Sequence, residues 1–224
     1  MRRLMALGIG AAWAAAQLAA SAQGNGSVTG RVSAAGKTLA PIRVTFDQKV
    51  CGNQLPDEAV VTDAQGHLAN AVVILTGLKA RGAAADTLVT NEKCRFVPRV
   101  QMARPNANIK TTSHDPMLHT TNAANEGGKT LFNVALPFPG ITITKPIGAA
   151  GVVRLTCNTH PWMRGFVVVT DEVAAVTGAD GRFSLADVPP GTYQLRVWHE
   201  ALKGAPRRIT VVSGKAADVT LQMK

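Results

Sequence analysis

The sequence predicts an all-β protein, a β-sandwich joined to a smaller β unit at its C-terminal end. Three observations predict this. Short alternating or apolar runs recur along the chain between Gly, Pro, Asn and Asp, the strand-and-turn rhythm of a sandwich or barrel. No stretch has the periodicity of a long amphipathic helix. After Thr170 the texture shifts to Gly- and Pro-bearing turns between alternating strands, over a span (171–224) marginal for a core of its own.

Residues 1–22 read as a secretory signal peptide. Arg2 and Arg3 precede an Ala-rich apolar run, Leu4 to Ala20, and Ala20-Ser21-Ala22 has the small-residue form of a cleavage site. The alternative is an uncleaved anchor, which the weak hydrophobicity of Ala opposes. The paired arginines also allow twin-arginine export. The expected location is therefore periplasmic or secreted, with a first domain over 23–170 and a second over 171–224. The chain has 24 Lys and Arg against 14 Asp and Glu, a formal net charge of +10. Between Gln23 and Thr170 the balance is fifteen to eight; from Asp171 onward it is seven to six. The excess is either a solvated surface or a means of steering an acidic partner. With about 4% aromatic residues and no basic run interleaved with them, nucleic acid is not indicated.

Taken in order, Ser27–Val32 and Pro41–Phe46 read as strands, the second alternating cleanly and half-buried. A loop with Cys51, Gly52 and Pro56 follows, then a short strand at Ala59–Val61 and a turn at Asp63–Gly66. Ala71–Leu75 is continuously apolar, as a strand covered on both faces would be. Residues 78–91 read as a surface loop or a short helical turn. Cys94–Met102 is a strand interrupted by Pro98, and Ala107–Thr112 another. Residues 120–130 read as an exposed Asn- and Gly-rich loop. Leu131–Pro137, Ile141–Thr144, Val152–Leu155 and Phe166–Thr170 complete the first unit. Strands around 176–185, 188–198, 208–212 and 219–223 form the second, which is expected to borrow strands from around Val28–Val32 and Ile42–Phe46.

The chemistry concentrates between Val152–Leu155 and Phe166–Thr170. Cys157, His160 and Met163 bring a thiolate, an imidazole and a thioether into seven residues, on a loop between two strands. Soft sulfur with imidazole suits copper, and two His, one Cys and a weak axial Met make the blue-copper set. The second imidazole must come from His67, His114, His119 or His199. His119 ends a strand-like approach 38 residues before Cys157, which leaves room for the intervening strands of a sandwich. His114 sits in a turn beside Asp115-Pro116 and is second choice. Three cysteines in an exported chain leave one over when two pair. Cys51 and Cys94, outside the loop, form the expected disulfide; the alternative is that one of them joins a metal site.

Cys157, His160, Pro161, Trp162, Met163, Arg164 and Gly165 before a Val run resemble the copper loop of amicyanin and other plastocyanin-like cupredoxins, and Met117-Leu118-His119 resembles that family's upstream Met-x-His. The resemblance covers roughly 94–170. It implies a cupredoxin-like Greek-key β-sandwich with one type 1 copper on His119, Cys157, His160 and Met163. Such cupredoxins commonly carry Asn after the first ligand His, tying the two ligand loops together; here the position is Thr120. The whole chain also resembles exported bacterial proteins, some labelled methylamine-utilization proteins, that join this domain to a carboxypeptidase-regulatory-like β-sandwich. Cys51-Gly52, Cys94–Pro98, Asp115–His119, Asp180–Phe183, Pro189–Tyr193 and Trp198–Glu200 carry that resemblance. It implies no peptidase chemistry.

Three functions are thus open: an outer-sphere electron carrier, a copper chaperone or storage protein, and a structural or ligand-binding sandwich with a vestigial loop. The carrier implies a redox partner such as an acidic cytochrome c or a dehydrogenase, and Trp162 then either joins an apolar patch around an exposed His160 edge or packs beneath the loop. No Ser-His-Asp pattern, carboxylate pair or phosphate loop indicates an enzyme.

Overall fold

The computed structural model describes residues 24–35 and 39–224; the leader expected over residues 1–22 lies outside the described residues. The chain runs through β1 (Gly26–Ala34), β2 (Ile42–Arg43), a single helical turn α1 (Gln48–Cys51), β3 (Gln54–Leu55), β4 (Val72–Lys79), β5 (Thr87–Glu92) and β6 (Arg95–Val97). It continues through β7 (Val100–Ala103), β8 (Asn108–Ser113), β9 (His119–Asn125), β10 (Thr130–Leu136), β11 (Thr142–Pro146), β12 (Gly151–Thr156) and β13 (Arg164–Val169). The last five strands are β14 (Glu172–Val176), β15 (Arg182–Val188), β16 (Gly191–Trp198), β17 (Arg207–Val211) and β18 (Ala216–Met223).

Apart from β2 and β3, which pair with each other, these strands make four sheets. The outermost has the order β11-β8-β5-β6, and it faces the sheet β10-β9-β12-β13-β7. Between them Val89, Phe96, Ile109, Ala123, Phe132, Val153, Leu155 and Val167 form the core of a first sandwich. The sheet β14-β4-β16-β17 faces β15-β1-β18 across Val28, Val32, Val73, Leu75, Phe183, Leu185, Leu195 and Leu221, the core of a second. The two sandwiches meet through Val72 and Ile74 of β4, packed with Val100 of β7 and Val168 of β13. The apolar run at 71–75 is therefore buried on both faces for a definite reason. Val73 and Leu75 fill the second core, while Val72 and Ile74 seal the junction.

The second sandwich draws on distant parts of the chain. β1 lies between β15, antiparallel, and β18, parallel. Gly30 permits that close crossing, because a Cβ there would collide with the Val219 carbonyl. β4 pairs with β14 and β16, so the segment that the sequence places in the first sandwich lies in the second.

Several local expectations change. Of residues 120–130 only 126–129 are a loop: β9 runs to Asn125, with Thr121 and Ala123 as small side chains on its buried face despite their weak apolar signal. Of 78–91, the last residues form β5, with Val89 and Thr90 buried. Ala59–Val61 is a turn, fixed by the Asp57 side chain accepting the Ala59 N–H. The strand expected over 41–46 stops after Arg43 and pairs only with β3, because the chain leaves sheet geometry at Asp47 (φ 54°). The loop at Cys51 contains α1. β6 ends at Val97 and β7 begins at Val100, so Pro98 divides two strands that lie in opposite sheets.

Candidate metal centre

β12 ends at Thr156 and β13 begins at Arg164, so residues 157–163 form the connection between two antiparallel neighbours at one end of the first sandwich. β9 flanks β12 on its other side, with Thr156 opposite Asn122. That register sets His119, the first residue of β9, beside the start of the connection. The Met163 N–H donates to the His160 carbonyl (3.0 Å) and closes the loop.

Three of the four sequence-predicted residues converge here, and the fourth, Met163, ends the same loop. The Cys157 sulfur lies 3.8 Å from His119 Nδ1 and 3.7 Å from His160 Nδ1, and the two imidazole centroids are 4.6 Å apart. One donor atom from each of the three lies within 4.8 Å of the others. All three side chains are buried, as is Met163, which shares a core cluster with Cys157. Bonds of about 2.0–2.3 Å to a first-row metal, set about 120° apart, separate a sulfur from a nitrogen by about 3.7 Å. The donor set therefore fits a trigonal Cys-His-His metal site.

Each imidazole is held from behind. His119 Nε2 is 2.9 Å from Asp115 Oδ2, and His160 Nε2 is 3.2 Å from Asp47 Oδ2. A carboxylate on Nε2 fixes the tautomer that leaves Nδ1 free to ligate. Asp115 is buried and also accepts the N–H groups of Lys93 (2.7 Å) and Cys94 (2.8 Å). Those donors sit in the β5–β6 turn, where both residues adopt positive φ. Burial pushes the Asp115 carboxyl up, but these hydrogen bonds outweigh it and hold the pKa below its usual value.

Thr120 takes up the place where the resemblance led to an expected Asn. Its backbone N–H points at the Cys157 sulfur (3.3 Å), and its hydroxyl accepts the Asn158 N–H (2.7 Å). The two ligand loops are thus tied directly. The Thr159 hydroxyl lies 3.0 Å from the same sulfur and 3.2 Å from the Leu118 carbonyl. Burial opposes ionisation of Cys157, yet hydrogen bonds from His119, Thr120, Thr159 and His160 bring the thiol down to about 5. Burial likewise opposes charge on His119, and the bonds to Asp115 and Cys157 raise it to about 9.

The remaining histidines lie elsewhere. His67 bonds Asp63 in the 63–66 turn, and His114 is exposed near Glu92. His199 is buried, its Nδ1 accepting the N–H groups of Ala201 and Leu202. Cys51 and Cys94 form the expected disulfide, their Cα atoms 5.2 Å apart, so neither sulfur is a free ligand. Of the two readings of Trp162, the one that needs an exposed His160 edge is not met. His160 presents no exposed edge, because Phe46 stacks on it at 5.5 Å and also contacts Trp162 at 5.0 Å. Sequence reasoning missed Asp47, Phe46 and Asp115. Asp115-x-x-x-His119 spacing is a usable signal for the last, whereas Asp47 is 113 residues from His160.

The family model of the carboxypeptidase regulatory-like domain matches residues 150–224. Among solved structures the chain is similar to a purple cupredoxin from Nitrosopumilus maritimus, with 21% identity and a TM-score of 0.34 over 38% of this chain and 100% of that one. It is similar to amicyanin from Paracoccus versutus, with 19% identity and a TM-score of 0.34 over 44% and 97%. A Cu-containing nitrite reductase from Thermus scotoductus matches with 18% identity and a TM-score of 0.32 over 42% and 24%. No curated protein matches the sequence.

Proposed function

We propose that the chain is an exported type 1 copper protein that carries electrons by outer-sphere transfer and has no catalytic activity of its own. The observation that carries this reading is the pair of Nδ1 atoms facing the Cys157 sulfur at 3.8 and 3.7 Å. His119, Cys157 and His160 would hold the ion, with the Met163 thioether as a weaker fourth donor. Bound there, copper would supply a one-electron couple.

The chain's own residues keep this site still. Asp115 and Asp47 fix the two rings, Thr120 locks one ligand loop to the other, and β9, β12 and β13 hold the loop ends in one sheet. Donors that barely move between oxidation states keep the reorganisation cost of electron transfer low. Because all the donors are buried, electrons must cross protein atoms rather than pass through a bound substrate. Burial also argues against an exchangeable metal carrier, and the organised donor set argues against a vestigial loop.

The excess of basic residues between Gln23 and Thr170 suits an acidic redox partner such as a cytochrome c or a dehydrogenase. The signal-like residues 1–22 support a periplasmic or secreted location. Among the described residues no helix is long and apolar enough to cross a membrane.

An optical and EPR spectrum of the copper-loaded chain without residues 1–22 tests the reading. One equivalent of Cu(II) should give an intense thiolate charge-transfer band that Cys157→Ser abolishes. Full occupancy without that band would refute a type 1 site, and a band without a reversible redox wave would refute the carrier role.

A further inference from the structure

β2 and β3 pair only with each other, and the segment they bracket crosses the metal centre. Val44, Cys51 and Leu55 sink into the first core and anchor the segment at its two ends. Between them Phe46 lies over the His160 ring, at an interplanar angle of 26°, and Asp47 holds that ring's Nε2. Asp47 takes a left-handed conformation, and its carbonyl accepts the N–H groups of Val50 and Cys51 to start α1. His160 is fully buried, while Phe46 is 41% exposed and the Asp47 side chain 47%. Solvent therefore meets this strap and not the ligand.

The strap is attached by one covalent bond. Cys51 joins Cys94, whose N–H holds Asp115 and through it His119. Both sulfurs lie within 4.8 Å of a His160 ring nitrogen. A single disulfide thus connects the carboxylate behind one imidazole to the segment that carries the carboxylate behind the other. Without it, the strap keeps its own two-stranded pairing, the side chains of Val44, Val50 and Leu55, the Phe46 contacts with His160 and Trp162, and the Asp47–His160 bond.

We propose that residues 44–55 form a disulfide-clasped cover over the metal centre, with Asp47 as a positioning residue for His160, and that this cover governs how fast metal ions and small reagents reach the site. The inference rests on the copper reading for the metal, but the cover itself is testable in its absence. Cys157 is the one free cysteine, buried 3.7 Å beyond the covered ring, and reports access directly. Opening of the strap is a local event separate from global unfolding.

The test uses the chain from residue 23 onward. In the metal-free protein the alkylation rate of Cys157 by iodoacetamide is compared in wild type, Phe46→Ala and the double variant Cys51→Ser/Cys94→Ser. Phe46→Ala keeps the clasp and every core anchor, so it stays informative if the double variant fails to fold. At least about tenfold faster alkylation is expected in Phe46→Ala and more in the double variant, with extraction of loaded copper by excess EDTA accelerated in the same order. For positioning, Asp47→Ala should move the His160 side-chain 15N resonances of the metal-free protein, and Asp47→Asn should return them toward wild type. Alkylation of Phe46→Ala at the wild-type rate would overturn the cover, and unmoved His160 resonances in Asp47→Ala would overturn the positioning role. A chain that takes up no copper yet shows the accelerated alkylation keeps the cover and removes the copper reading. Equal alkylation rates in a chain with the charge-transfer band do the reverse.

Discussion

Asp115→Asn removes a single charge at the point where the metal centre joins the fold. The carboxylate accepts three hydrogen bonds, from Lys93 N–H, Cys94 N–H and His119 Nε2–H, at 2.7 to 2.9 Å and away from solvent. An amide offers one oxygen and one NH2, so at least one of these donors must face another donor. If NH2 replaces Oδ1, the Lys93 N–H is stranded. If it replaces Oδ2, the Cys94 N–H is stranded and His119 must accept at Nε2, which moves its proton to Nδ1, the atom facing Cys157. A hydrogen bond to a charged group contributes about 1.5–3 kcal/mol, and a stranded buried donor costs about 1–3 kcal/mol. The metal-free variant should therefore lose about 3–5 kcal/mol, the range seen when a buried pair loses one partner. Copper affinity should fall by about 10–100-fold, as for other residues that orient a ligating imidazole. Urea unfolding of the metal-free protein and a copper titration against a competing chelator measure the two losses. A stability loss under about 1 kcal/mol with affinity unchanged would refute the reasoning.

Three further outcomes follow from the same geometry. The ultraviolet thiolate absorbance of the metal-free protein should already be present at pH 7 and disappear near pH 5, since the hydrogen bonds at Cys157 outweigh burial; a signal that grows only toward pH 9 would contradict the arrangement of donors. Arg99 forms a nearly buried two-point pair with Glu200, so Arg99→Ala should cost about 3–5 kcal/mol in urea unfolding, while Arg99→Met/Glu200→Leu should recover most of that loss. His199 is held down to about 4, by burial and then by Arg99, so the unfolded chain takes up its proton near 6.5 while the folded chain refuses it. Stability should fall as pH drops from about 6.5 to about 4, by at most about 3 kcal/mol, and a His199→Gln series should lack that part of the slope.

The residues of the candidate site are legible because they carry chemistry that few other arrangements explain. A Cys, a His and a Met within seven residues between two apolar runs needed only a second imidazole, and the distance from His119 to Cys157 allowed the strands between them. The support of the site was less legible, for a physical reason. Asp47 and Phe46 reach His160 through the tertiary path of a strap, and no local periodicity marks a side chain that will lie on a residue more than a hundred positions away. The β9 strand was missed because its buried face is built from Thr121 and Ala123, whose small side chains suit a crowded interior but give little hydropathy contrast. The alternation at 41–46 misled in the opposite direction. Val44 is indeed buried, but it anchors a strap and does not extend a sheet. For β4, the continuous apolar run was correctly taken as covered on both faces, but which sheets cover it depends on pairing with β14 and β16, and this cannot be read from β4 itself.

The second sandwich bears on the metal loop through β13 and β7. β13 leaves the ligand loop at Arg164 and has both faces covered: Val167 and Val169 lie in the first core, while Val168 packs with Val72 and Ile74 across the junction. Phe166 meets Trp198 of β16 at 5.4 Å, and the Phe166 N–H donates to the Arg99 carbonyl. The same Arg99 is clamped by Glu200, two residues past the end of β16, and approaches Glu58, just beyond the strap. One arginine thus touches the exit of the ligand loop, the second sandwich and the segment after the cover. The consequences of Arg99→Ala should accordingly extend beyond stability. Loss of the clamp frees the Arg99 backbone that holds Phe166, three residues after Met163, so the copper-loaded variant should show a shifted charge-transfer band even where it remains folded, whereas a junction that served only to join two modules would leave that band in place.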